Sequence, residues 1–88
     1  MLLIQIKIMP ISPEVDLDKV REKAKELVEG FGQKILKDET EPIAFGLNAL
    51  LLIISWPDDK SADELEEKIA KIEEVKSANI VDVRRAIG

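Results

Sequence analysis

Leu2, Ile4, Ile6 and Ile8 recur at every second position, with Gln5 and Lys7 between them. That period of two predicts a strand over residues 2–9 with one buried face. Pro10 and Pro13 are expected to break regular structure after it. From Asp16 onward the period becomes helical. Leu17, Val20, Ala24, Leu27, Val28 and Phe31 form one apolar stripe, with Lys19, Arg21, Glu22, Lys23, Lys25, Glu26 and Glu29 opposite. Asp16 is the expected N-cap, and Gly30 and Gly32 the stop signal, with Phe31 folding back on the last turn. Residues 33–41 are polar around Ile35 and Leu36 and predict an edge or bulged strand. Residues 47–55 predict the most buried strand, because Leu50 to Ile54 is apolar on both faces. Ser61-Ala62-Asp63-Glu64 matches a capping box. It precedes a second helix whose inner face is Leu65, Ile69 and Ile72. A last strand is expected through Ala78 and Ile80, as far as Val83.

Strand, helix, strand, strand, helix, strand is the order of a split βαβ pair. It predicts an α+β, ferredoxin-like βαββαβ sandwich: a four-stranded antiparallel sheet with two helices on one face. Eighty-eight residues suffice for one core, so residues 1–88 are read as a single domain. This fold hosts many activities, so function must come from particular residues.

Composition removes several classes of function. The chain has no cysteine and no histidine. Disulfides, thiolate metal sites, a cysteine nucleophile and the commonest general base are therefore excluded. The net charge is −5, and no basic arm exists to drive nucleic-acid binding. Phe31, Phe45 and Trp56 are the only aromatics, too few for a base-stacking platform. The first residues lack a basic region and a cleavage site, and no apolar run approaches membrane-spanning length. A cytoplasmic protein is expected, with no direct nucleic-acid or membrane contact.

No glycine-rich phosphate loop is present, and the hydroxyl side chains have no histidine to activate them. Glu66-Glu67 and Glu73-Glu74 are read as solvated helix surface, and Asp58-Asp59 as turn residues. Trp56 is read as a half-buried cover at a strand end. An enzyme is thus disfavoured, no cofactor is called for, and two segments point to partner binding. The first is Pro42-Ile43-Ala44-Phe45-Gly46, an apolar connection where polar turn residues are usual. Phe45 either plugs the end of the core, the commoner fate of a large apolar residue, or stands out as a partner anchor. Gly46 beside it would permit close backbone approach. The second is Asp82-Val83-Arg84-Arg85. Its arginines either belong to a solvated tail or pair with carboxylates or phosphates of a partner.

At these residues the chain resembles archaeal elongation factor 1-beta, a family of guanine-nucleotide exchange factors for elongation factor 1-alpha. The resemblance covers essentially the whole chain. It is strongest at Glu41-Pro42-Ile43-Ala44-Phe45-Gly46-Leu47 and at Val81-Asp82-Val83-Arg84-Arg85, with support from Met9-Pro10 and Ser12 to Leu17. It implies the same fold and a GTPase partner, elongation factor 1-alpha, with the factor itself a monomer when free. It further implies that Pro42, Ile43, Phe45 and Gly46 dock on the GTPase, Phe45 in an apolar pocket. Asp82, Arg84 and Arg85 would then approach the Mg²⁺ and phosphate region. Eukaryotic relatives use a near-terminal lysine there. Here the last lysine is Lys76, which leaves Arg84, Arg85 or a backbone distortion for that role. Thousandfold acceleration of GDP release requires about 4 kcal/mol of differential stabilisation, within reach of one anchored phenylalanine and one desolvated arginine pair.

The rival readings share the fold. A regulatory module binding a small ligand would usually show a glycine turn after the first strand, where this chain has Met9-Pro10-Ile11-Ser12-Pro13. An RNA-binding sheet would want aromatics on its first and third strands. An oligomerisation domain would reveal itself as a tight homodimer.

Overall fold

Period two in the first segment and period 3.6 in the next persist in three dimensions. The computed structural model describes residues 1–85. Its elements are β1 (Leu2–Pro10), α1 (Leu17–Gly30), β2 (Ile35–Pro42), β3 (Asn48–Trp56), α2 (Asp63–Ala70) and β4 (Val75–Arg85). A single 3₁₀ turn, Ala44–Gly46, lies between β2 and β3. The four strands form one sheet in the order β2-β3-β1-β4, antiparallel at every pairing. This is the ferredoxin-like α+β arrangement expected from the order of elements.

One core lies between the sheet and the helices. Ile4, Ile6 and Ile8 of β1 meet Leu50, Leu52, Ile54 and Trp56 of β3, and Val20, Ala24, Val28, Leu65 and Ile69 close it from the helices. Both helices feed the same cluster, so they cover one sheet face and leave the other open. For that reason β3 is not buried on both faces as its unbroken apolar run suggests. Leu51 and Ile53 point to the open face and are only half-buried.

Local chemistry sets the element ends. The Asp16 carboxylate accepts the Asp18 N–H at 3.0 Å and starts α1. At its other end Phe31 N–H donates to the Val28 carbonyl and Gly32 N–H to the Glu29 carbonyl. Gly32 has a φ of +78°, a conformation that favours glycine. The capping box expected before α2 does not form, because Ala62 is the N-cap and no side chain caps it. Ser61 Oγ accepts the Asp63 N–H at 3.2 Å, while Glu64 pairs with Lys68 at 3.5 Å instead of reaching back.

Four further readings are corrected. Pro10 does not break β1. It closes the strand, paired with Val75 across a register shift, where no N–H is needed. Trp56 is not a half-buried cover. It is 1% exposed, its ring lies 5.5 Å from that of Phe31, and its Nε1–H donates to the Lys60 carbonyl at 3.0 Å. That bond removes the penalty for burying the indole nitrogen. Glu66 is not merely solvated. β4 has a bulge at Val81, and the Ile80 N–H beside it donates to Glu66 Oε2 at 2.6 Å. Glu73 and Glu74 lie beyond the end of α2, with Glu74 at a φ of +73°.

β2 is an edge strand with a register shift between Ile35 and Lys37, as its polar sequence predicts. Arg21 of α1 links to it. The Arg21 Nε lies 3.1 Å from Asp38 Oδ1, close enough for an ion pair though not aligned for a hydrogen bond.

Candidate functional site

The two segments singled out in the sequence sit at opposite ends of the sheet. β2 and β3 are joined at the end where β1 finishes, because Ile8 lies opposite Leu50. Arg84 lies opposite Leu3 and Leu3 opposite Ser55, at the other end. Ser55 and Asn48 are seven residues apart along β3. At ~3.3 Å per residue, the two ends are separated by about 23 Å. No small ligand bridges them; a protein partner does so only by spanning the length of the sheet.

At the hairpin end, Pro42 completes β2 and is exposed. Ile43 is half-buried, and its N–H donates to the Leu47 carbonyl at 2.7 Å, which closes the loop. Within that closed loop Phe45 is 94% exposed, so it does not plug the core. Its φ and ψ are +64° and +29°, the left-handed region. For a residue with a Cβ that conformation costs roughly 1–2 kcal/mol. Gly46 follows at a φ of +75°, where a Cβ would meet nothing within 4 Å. Its requirement inside the chain is therefore conformational freedom, not room for a neighbour.

At the other end, Asp82, Arg84 and Arg85 belong to β4 and not to a tail. Successive strand residues face opposite ways. Arg84 lies over the open sheet face, where it lines a shallow groove of about 300 Å³ with Leu3, Gln5, Ile53 and Asp82. Its Nε–H donates to Asp82 Oδ2 at 2.8 Å. Arg85 turns to the β3–α2 connection, 3.6 Å from Asp58 Oδ2. Asp58 also takes the Met1 ammonium at 2.9 Å. The hydrogen bond from that ammonium holds the Asp58 carboxyl below its usual 3.8; partial desolvation opposes it, and the nearby charges of the ammonium and Arg85 assist. Asp58 is thus more than a turn residue, which the adjacency of Asp58 and Asp59 alone did not disclose.

Among the described residues no group of three or more acidic side chains is placed to hold a metal ion. No helix among them is long and apolar enough to cross a membrane. What the surface offers is shape: an apolar tip at one end and arginines at the other.

An exposed aromatic held out on a closed loop is a feature common at protein-docking surfaces. Comparison with known proteins makes the class specific. Residues 3–86 match the family model of the EF-1 guanine nucleotide exchange domain. The chain is 42% identical to elongation factor 1-beta of Nanoarchaeum equitans over 82 residues, covering 92% of this chain and 100% of the relative. It is 46% identical over 83 residues to elongation factor 1-beta of Pyrococcus furiosus, covering 91% and 89%. For the Methanocaldococcus jannaschii protein of the same name the identity is 41% over 85 residues, covering 96% of each. The chain belongs to the EF-1 guanine nucleotide exchange domain family.

Proposed function

We propose that this chain is the exchange factor for elongation factor 1-alpha, and that it binds the GTPase through both ends of its sheet. Family membership supports the exchange role. The observation that carries the docking reading is Phe45. An aromatic held outward is costly in water, and left-handed backbone at a non-glycine residue is costly again. The cost of exposure is not offset within the fold, since Phe45 is 94% exposed, and the left-handed backbone is held by the hydrogen-bonded loop around it. A partner pocket offsets the exposure, because burying the ring contributes roughly 2–3 kcal/mol. Pro42, Ile43 and Gly46 shape the loop that presents it.

In this proposal the other end supplies the differential term. Asp82 orients Arg84, and Arg84 or Arg85 approaches the Mg²⁺ and phosphate site of the GTPase and weakens its hold on GDP. An exchange factor must favour the nucleotide-free form, and linkage makes that preference reciprocal. Residues 1–88 would act as one domain, monomeric and cytoplasmic, without chemistry of their own and without direct nucleic-acid or membrane contact. The test is release of fluorescent GDP from the matching elongation factor 1-alpha. Acceleration at substoichiometric amounts of this protein is expected. No acceleration by a folded protein on an active GTPase would defeat the reading. A tight homodimer in sedimentation would favour an oligomerisation role instead.

A further inference from the structure

Phe45 is not alone at its end of the sheet. β1 and β3 are neighbours, so the chain leaves β1 where it enters β3. Paired strands lie ~4.8 Å apart. Ile11 stands one residue beyond β1 and is 59% exposed. Two large apolar side chains therefore emerge from adjacent strand ends. The segments that carry them, Pro10–Pro13 and Pro42–Asn48, hold no charged residue in a chain that is 35% charged, and the first charge of the β1–α1 connection is Glu14.

The backbone marks the same place. Among the described residues, Phe45 and Glu74 are the non-glycine residues with positive φ. Glu74 immediately precedes Val75, the partner of Pro10, and its carbonyl accepts the Ile11 N–H at 3.0 Å. One strained residue presents Phe45 and the other fixes Ile11. Such strain persists where the surrounding structure imposes a shape, and it concentrates at functional sites.

We propose that Ile11 is a second anchor, and that Ile11 and Phe45 together form a rigid two-pronged apolar tip seated in one apolar cleft of the GTPase. This rests on the exchange reading and adds a residue to that same site. Two copies packed tip to tip are disfavoured, because Glu74, whose carbonyl holds the Ile11 N–H, walls a charged groove with Lys19, Lys23 and Glu73 beside the tip. Preformed loops suit a convex tip, since little ordering remains to be done on binding.

The experiment is the fluorescent-GDP release assay with the full chain, titrated over elongation factor 1-alpha. Ile11→Ser should raise the half-saturating concentration about tenfold, as for a moderate hot spot. The maximal rate should stay as it was, and Ile11→Val should restore the affinity. Combined with Phe45→Ala, the loss should be less than the product of the two, because the residues share a cleft. An unchanged half-saturating concentration for Ile11→Ser, alongside a raised one for Phe45→Ala, overturns the second anchor and leaves the exchange reading standing. No stimulation by the unsubstituted protein overturns both. The chain has no cysteine, so Ile11→Cys supplies a single thiol. Its maleimide labelling should slow at least about tenfold in the complex with nucleotide-free GTPase. Labelling at an unchanged rate refutes burial of this position, whatever Ile11→Ser does to folding.

Discussion

Replacing Phe45 by alanine and by glycine separates docking from folding. In alanine the ring is lost but the Cβ and its left-handed strain remain. Since the ring is 94% exposed, stability should move by no more than about 0.5 kcal/mol. In glycine the strain of roughly 1–2 kcal/mol is also relieved. The greater freedom of glycine in the unfolded chain takes back about 0.4–1 kcal/mol. The balance is a stabilisation of about 0 to 1.6 kcal/mol, with a rise in melting temperature of about 4–8 °C for each kcal/mol in a domain this size. Docking should respond in the opposite sense. Both variants forfeit the roughly 2–3 kcal/mol of ring burial in the partner. That is a rise of about 30- to 150-fold in the concentration of factor that half-saturates GDP release. Thermal melts and nucleotide-release titrations on the same preparations test both signs. A glycine variant that melts several degrees lower while losing activity would show that the ring supports its own fold, and the docking argument would fail.

Three further outcomes follow from the geometry. Replacing Arg84 and Arg85 together by alanine should lower the maximal rate of GDP release about tenfold, more than it lowers affinity; equal losses would reduce them to plain contacts. Glu66→Ala should cost about 1–2 kcal/mol in urea unfolding, by stranding the half-buried Ile80 N–H at the bulge. Glu66→Gln, which keeps an acceptor, should cost clearly less, and equal costs would refute the hydrogen bond. For Asp58 the folded carboxyl titrates below its unfolded value of 3.8. Its contribution is therefore present above that pH and disappears as pH falls through the lowered folded value. Melting curves of the protein and of Asp58→Asn should differ slightly near pH 6 and converge near pH 2; a constant gap would contradict the linkage.

Much of this was legible in the chain because the relevant signals are local. Alternation in residues 2–9 and the stripe from Val20 to Val28 report directly on one buried face each. Asp16 and Gly32 carry their own backbone requirements. Features that depend on distant partners were not legible. The burial of Trp56 needs Phe31 and the Lys60 carbonyl, and the turn residues Pro57-Asp58-Asp59 point the other way. The full length of β4 is hidden by its bulge and by the charges of Asp82, Arg84 and Arg85. Residues Pro42 to Gly46 and Asp82 to Arg85 could each be picked out by composition. Their separation is a property of strand order, which no local pattern contains. The left-handed backbone of Phe45 was signalled only by the neighbouring Gly46, and Ile11 looked like any apolar residue between two prolines.

The edges of the sheet bear on encounters with other polypeptides. An uncovered edge offers free N–H and C=O groups to any extended chain, which is how aggregates begin. β2 answers with Lys37-Asp38-Glu39-Thr40-Glu41 and then Pro42, a run in which an added strand would have to bury charge and lose a donor. Its register shift bends the same edge at its start. β4 carries the exposed Val81 and Val83, yet its bulge falls among them and interrupts any ladder laid alongside. The molecule can therefore hold a greasy tip outward while the charge on one flank and the bulge on the other resist the addition of misfolded chains.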